Sequence, residues 1–362
     1  MPTIAAVPAP LRSIASRWAF GPHGPDAYLA AISPIWSSSR ILARVDSIIP
    51  EASDAATVIL RPNANWPGFR AGQHVQLTVS VDGIRRTRTF SLSSAEQDRD
   101  RIAVTVRRSS RALVSRHLVF GIRPGDTVEL SAPAGEFVLP AGGPDAAAPL
   151  LLIAGGSGIT PLMSMLRSRS RAGRRGPVAL IYYARRESDR IFAAQLRLLA
   201  AGDPDFRYLP LTTGDGAQRF SAATLAQLPF AAAGAATYAC GPAALLAAVE
   251  SLWSECGWSA QLRVEHFAAP STPAAADAAG GQVVFARSER RVTSDGRVLL
   301  EQAEAAGLDP DHGCRRGLCR TCTCTLLAGQ VRHVASGAIV AEPGESFTLC
   351  SHVPVGDVAV DL

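Results

Sequence analysis

Cys314-Arg315-Arg316-Gly317-Leu318-Cys319-Arg320-Thr321-Cys322 is the stretch that decides this chain, and Cys350 follows it after a long gap. The spacing C-x4-C-x2-C with a distant fourth cysteine is the one that holds a 2Fe–2S cluster. A tight loop presents three thiolates from one side, and a remote segment closes the cage. Gly313 and Gly317 let the backbone curl round an inorganic core with its N–H groups aimed at the sulfurs. Zinc sites usually pair two short knuckles. Here there is no second knuckle, and Cys324, two residues past Cys322, interrupts a simple zinc pattern. Zinc or disulfides stand as the alternatives to the cluster, and Cys324 reads as a packed thiol. A cluster moves one electron at a time, so the rest of the chain must supply electrons, receive them, or both.

At 362 residues the chain is too long for one ordinary domain. All 36 basic residues are arginine, and the net charge of +5 is modest. No basic block dominates, which argues against a nucleic-acid partner. No stretch reaches the roughly 20 apolar residues that a membrane span needs. The first residues lack the apolar run of a signal peptide. Seven cysteines, four of them assigned to a cluster, suit a reducing cytoplasm.

The texture changes along the chain. Residues 1–39 form a Pro- and Ala-rich extension with scattered aromatics. Residues 40–140 carry short alternating runs punctuated by Pro67-Gly68, Asp82-Gly83 and Pro124-Gly125-Asp126, which predict an antiparallel β-barrel with a brief helix near 113–119. Residues 149–267 alternate strand and helix patterns, the mark of an open parallel-sheet α/β domain. Residues 268–280 read as a low-complexity linker. Residues 281–362 hold a hairpin, a helix and the cysteine loop. The expected fold is therefore multidomain.

Two further motifs carry chemistry. Gly155-Gly156-Ser157-Gly158-Ile159-Thr160-Pro161 follows a buried strand and opens a helix. Glycines let a pyrophosphate approach the backbone, the helix start offers unpaired N–H groups, and Pro161 suits the first turn. An ordinary turn is the alternative. Arg88-Thr89-Phe90-Ser91 ends a barrel strand. There an arginine pairs with phosphate, an aromatic lies on a flat ring and a serine donates to a ring nitrogen, or else the arginine is merely exposed.

Taken in order, the barrel, Arg88 to Ser91, the Gly155 motif and Cys240-Gly241-Pro242 after a strand resemble the ferredoxin–NADP reductase superfamily over residues 40–267. The tail, 281–362, resembles a plant-type ferredoxin, an α+β β-grasp domain. The whole is similar to reductases with the ferredoxin fused at the C-terminus. Tyr28-Leu29 and Ser33-Pro34-Ile35-Trp36 bring it nearest to the reductases of membrane stearoyl-CoA (fatty-acid) desaturases. The resemblance implies that Arg88 binds a flavin phosphate, with Thr89 and Phe90 beside it, and that Ser91 bonds near flavin N5. Phe90 stands where the family usually has tyrosine, so ring packing survives without the phenolic bond. Ser115 matches the serine of a second phosphate loop, in which Ala112 replaces a common glycine. This loop resembles FAD-binding members more than FMN-binding ones.

Gly155, Gly156, Gly158, Thr160 and Pro161 would cradle the nicotinamide cofactor, and Cys240, Gly241 and Pro242 would lie near its ring; Ser91 and Cys240 are the implied catalytic pair. Glu265-His266-Phe267 closes the module beside the flavin. Arg185 after the second α/β strand and Arg219 after the third favour NADPH over NADH. Cys314, Cys319, Cys322 and Cys350 are the implied cluster ligands. The expected activity is an NAD(P)H-dependent reductase that passes electrons through FAD and a 2Fe–2S cluster to an external metalloprotein. A membrane di-iron desaturase or hydroxylase is the first expectation for that acceptor, met by transient docking at a membrane surface. The alternatives are a Rieske-type aromatic-ring oxygenase, or a non-enzymatic metal-binding protein with a degenerate barrel. A monomer is expected.

Overall fold

Period-two alternation builds the first sheet. The computed structural model describes residues 24–81, 83–108, 113–139, 149–173, 176–214, 219–267, 278–312, 317 and 320–362. It begins with helix α1 (Gly24–Ile32), whose Asp26 carboxylate accepts hydrogen bonds from Ser37 Oγ and Ser38 N and tethers the extension to the approach of the first strand. Then follow β1 (Ile41–Ala52), β2 (Ala55–Pro62), β3 (His74–Val81), β4 (Ile84–Ser91), β5 (Ile102–Arg107), helix α2 (Leu113–Phe120) and β6 (Thr127–Leu130). They form one antiparallel sheet in the order β4-β3-β6-β1-β2-β5. Val75, Leu77 and Val79 all point inward, as alternation on a pleat requires. The barrel closes through a short seam, where the Leu92–Val104 bridge and the Ser93 N–H on Ala103 O join the two edges. Val114 and Leu118 of α2 plug the core.

The second sheet runs β7 (Leu150–Gly155), α3 (Ile159–Arg171), β8 (Val178–Ala184), α4 (Ala193–Gly202), β9 (Phe206–Thr212), α5 (Ala222–Leu225), β10 (Ala236–Gly241), α6 (Ala243–Glu255) and β11 (Leu262–His266). All five strands are parallel, in the order β11-β10-β7-β8-β9. Every residue of β7 and β8 is buried, because helices cover both faces; this is why Leu150 to Ala154 reads as a continuous apolar run. The sequence predicts a helix from Ala222 to Leu228, yet α5 stops at Leu225. Pro229 biases the residue before it away from helical backbone.

The third sheet holds β12 (Ala279–Phe285), β13 (Arg290–Asp295), helix α7 (Leu299–Ala305), β14 (Thr323–His333), β15 (Ile339–Val340), β16 (Ser346–Thr348) and β17 (His352–Val360). Its order is β13-β12-β17-β14-β15, with β16 on β14 and only β12–β17 parallel. Leu299, Leu300 and Ala303 of α7 pack on this mixed sheet, an α+β layer. Residues 268–277 of the expected linker lie outside the described residues. Its last part is sheet instead: β12 starts at Ala279, and buried Ala278 accepts a 2.6 Å hydrogen bond from Ser294 Oγ. Among the described residues, no helix is long and apolar enough to cross a membrane.

Candidate active site

The glycine turn lies where two strand ends nearly touch. β7 and β10 are neighbours with Ala154 opposite Cys240, so the turn after β7 faces Cys240-Gly241-Pro242. A Cβ on Gly158 would stand 2.1 Å from the Cys240 carbonyl oxygen, and one on Gly155 would stand 2.5 Å from Pro242 Cδ. Only hydrogen fits at either place, so the two loops form a shallow backbone cradle suited to a pyrophosphate. Buried Thr160 donates from Oγ1 to Ser157 O at 3.0 Å and tightens the turn, with Pro161 buried behind it in α3. Tyr182 braces the same turn from below. Its hydroxyl donates to Gly156 O at 3.0 Å and accepts from Ile191 N at 3.1 Å. Burial pushes this phenol well above its ordinary pKa, so it stays protonated and able to donate. No sequence signal singled out Tyr182, which reads simply as one more apolar-strand residue. Arg185, just past the end of β8, and Arg219, between β9 and α5, are both exposed.

On the barrel side, Arg88, Thr89, Phe90 and Ser91 end β4, with Arg88 and Ser91 buried. Thr89 Oγ1 is buried with no hydrogen-bond partner among the described residues. An orphaned hydroxyl of this kind costs free energy unless a bound group satisfies it, and a polar cofactor at the strand end would do so. Ser115 is buried in the first turn of α2. Ala112 lies outside the described residues.

One of the contacts between the two halves lies at the strand ends that carry Ser91 and Cys240. His74 of β3 sits opposite Ser91, Glu265 of β11 sits opposite Cys240, and His74 Nδ1 lies 3.9 Å from Glu265 Oε1. The structure thus brings Ser91 and Cys240 to a common junction between barrel and α/β domain. Glu265 is buried there, while His74 carried no motif of its own in the sequence.

In the third domain, Cys322 and Cys350 are buried side by side, since Leu349 N donates to Cys322 O at 3.0 Å. Gly317 N donates to Cys350 Sγ at 3.1 Å. Gly317 takes φ +76°, where a side chain would strain the backbone and strike Ser351 Oγ. An amide aimed at a cysteine sulfur is what a thiolate-bound iron cluster requires of its loop. Cys314, Cys319, Arg315 and Arg316 lie outside the described residues. Cys324 faces the apolar core, and burial pushes its thiol up to about 11, which keeps it from being a ready metal ligand.

One placement differs from the sequence reading. Arg88, expected to face a flavin phosphate, also reaches the cluster domain: its Nη1 donates to His312 O at 3.0 Å and lies 3.7 Å from Asp311 Oδ1, and its Nη2 lies 3.7 Å from Asp309 Oδ1.

Known proteins match this arrangement in order. The oxidoreductase FAD-binding domain profile matches residues 48–139, the oxidoreductase NAD-binding domain profile residues 152–251, and the 2Fe-2S iron-sulfur cluster binding domain profile residues 284–354. An NADPH oxidoreductase of Mycobacterium tuberculosis is 36% identical over 358 residues, covering 97% of this chain and 92% of the relative. The ferredoxin reductase component of 3-ketosteroid-9-alpha-monooxygenase from the same species is 34% identical over 297 residues, covering 78% of this chain and 80% of the relative. Among solved structures, phthalate dioxygenase reductase superposes with a TM-score of 0.59 at 26% identity, covering 89% of this chain and 98% of that one. Two of these three serve oxygenases by name, and none of the three names a desaturase.

Proposed function

Because the chain belongs to the ferredoxin-reductase-type oxidoreductases that join FAD-binding, NAD-binding and 2Fe–2S domains in one polypeptide, we propose that its external acceptor is the terminal component of an oxygenase. The chain is an NAD(P)H-dependent electron-transfer reductase; the finer identity of the acceptor is the proposal. The observation that carries it is the end-to-end likeness to phthalate dioxygenase reductase, seconded by the monooxygenase reductase component. The oxygenase reading fits these relatives better than the desaturase reading does.

A bound flavin would supply two-electron hydride chemistry, and a bound iron–sulfur cluster would supply one-electron transfer. The chain's part is placement. Arg88, Thr89, Phe90, Ser91 and Ser115 hold the flavin. Gly155, Gly156, Gly158, Thr160 and Pro161 seat the pyrophosphate, with Tyr182 fixing the turn. Cys240, Gly241 and Pro242 shape the wall beside the nicotinamide ring. Cys314, Cys319, Cys322 and Cys350 hold the cluster. Arg185 and Arg219 meet the 2′-phosphate, which makes NADPH the donor, in keeping with the likeness to the mycobacterial NADPH oxidoreductase. A thiolate-held cluster suits a reducing cytoplasm, and the chain is taken to act there as a monomer.

The test is reconstitution with a purified Rieske-type ring oxygenase, a membrane di-iron desaturase in vesicles, and cytochrome c as an indifferent acceptor. NADPH should support oxygenase turnover well above the NADH rate. Turnover of the desaturase with none of the oxygenase would sink the proposal.

A further inference from the structure

The segment between α7 and Cys314 is fastened to the flavin strand by charge. Arg88 is buried at the end of β4, and its guanidinium is engaged by the His312 carbonyl and by the carboxylates of Asp309 and Asp311. Arg86, on the same face of β4, brings Nη1 to 4.0 Å from Asp311 Oδ1. These three acceptors immediately precede the first cysteine of the cluster motif. A buried guanidinium needs acceptors, and a pair of neighbouring carboxylates needs cations, so the two groups satisfy one another. Arg88 has five N–H donors in a planar fork, enough to serve a flavin phosphate along one edge and a carboxylate along the other. The carboxylates are 39% and 53% exposed, a setting where ion pairs fix register and orientation and are screened by salt.

We infer that Asp309 and Asp311 are positioning residues for the flavin-to-cluster electron step. Through Arg86 and Arg88 they seat the segment that leads into the cysteine motif, Asp309 to His312, on the end of the flavin strand, and so bear on the gap that the electron crosses. The inference rests on the reading of this chain as a flavin-to-cluster reductase. In the step itself one electron is lost by the reduced flavin and gained by a ferric iron of the cluster, with no bond made or broken. The latch acts on this step alone, because neither aspartate reaches the glycine turn or Cys240.

The experiment compares the full-length holoprotein with the double variant Asp309→Asn/Asp311→Asn by anaerobic single-turnover mixing with NADPH, and by small-angle X-ray scattering. Iron and sulfide content and circular dichroism establish that each variant is folded and loaded. The wild-type rate of cluster reduction should fall several-fold between about 0.05 M and about 0.5 M salt. The double variant should reduce its flavin at the normal rate, pass electrons to the cluster roughly tenfold more slowly, and lose the salt dependence. Its radius of gyration should exceed that of the wild type. Asp309→Glu/Asp311→Glu should recover most of the rate. Arg86→Asp alone should slow the step, and Arg86→Asp combined with Asp311→Arg should restore part of it. A loaded double variant with wild-type transfer and wild-type scattering overturns the inference. Should NADPH fail to reduce the cluster even in the wild type, the proposed function falls, and the scattering comparison still decides whether these aspartates hold the domains together.

Discussion

Two junctions meet at the barrel, and they are built from different materials. The junction with the α/β domain combines buried and half-buried hydrogen bonds, packing and an exposed ion pair, Arg171 to Asp98 at 3.0 Å. Ser164 Oγ donates to Ser94 O at 2.7 Å, Glu96 N donates to Ser168 Oγ at 2.9 Å, and Phe192 N donates to Glu51 Oε2 at 3.1 Å. Phe137 sets its edge against Tyr238 at 5.4 Å in a core shared with Met165 and Leu162. The junction with the cluster domain, at Arg86 and Arg88, is made of ion pairs 3.7 to 4.0 Å long to half-exposed carboxylates. Hydride transfer demands that two rings be held in one geometry. Electron transfer tolerates a looser contact, and a cluster that must also meet an outside acceptor gains from a contact that salt can loosen. The lesson is that packing and hydrogen bonds dominate where an atom moves, and ion pairs dominate where only an electron does.

The comparison breaks most visibly at Gly158. Gly158→Ala drives a methyl group into the Cys240 carbonyl, and NADPH-dependent flavin reduction should fall on the order of 100-fold, read by stopped-flow bleaching of the flavin. Cluster-level electron flow should fall with it, since nothing upstream remains. The reverse cut is Cys350→Ser. It should abolish the paramagnetic signal of the reduced cluster while leaving NADPH-driven ferricyanide reduction at the flavin intact. Cys324→Ala is its control and should keep the cluster, because that thiol is packing. Burial raises its pKa to about 11, so its thiolate is scarce at neutral pH; iodoacetamide labelling should become fast only as pH climbs toward that value.

Smaller effects sharpen the contrast. Tyr182→Phe keeps the ring and removes the brace on Gly156 O, at a cost of roughly 1–3 kcal/mol. The loss should appear as a higher KM for NADPH, with the flavin spectrum unchanged. The smallest is Ser164→Ala, which should lower stability by about 1 kcal/mol in denaturant titration at any ionic strength, as a neutral buried hydrogen bond does. A strong salt dependence there would erase the difference between the two junctions.

How far this was legible in the sequence follows the range of the interactions. Local chemistry was readable: the cysteine spacing, the strand–glycine–helix run at Leu150 to Pro161, and the turn-punctuated strands of the barrel. Each is written within a few residues by backbone geometry and apolar period. Contacts between domains were not readable. Arg88 and His312 are 224 residues apart, and nothing near Asp309 or Asp311 marks them as partners of a barrel arginine. Tyr182 and His74 escaped for the same reason, since each acts on an element that the chain reaches much earlier or later. The expected helix from Ala222 to Leu228 and the expected linker to residue 280 are too long because composition does not show where a proline or a buried alanine sets the boundary.

The central claim is that reducing equivalents from NADPH leave this chain through thiolate-held iron. Anaerobic titration of the purified protein with NADPH, followed by low-temperature electron paramagnetic resonance and by iron and acid-labile sulfide assay, tests it directly. The account predicts equal amounts of iron and sulfide, about two of each per chain, and a reduced-cluster signal that grows as the flavin bleaches. Stoichiometric zinc, no labile sulfide and a bleached flavin with no signal would contradict it.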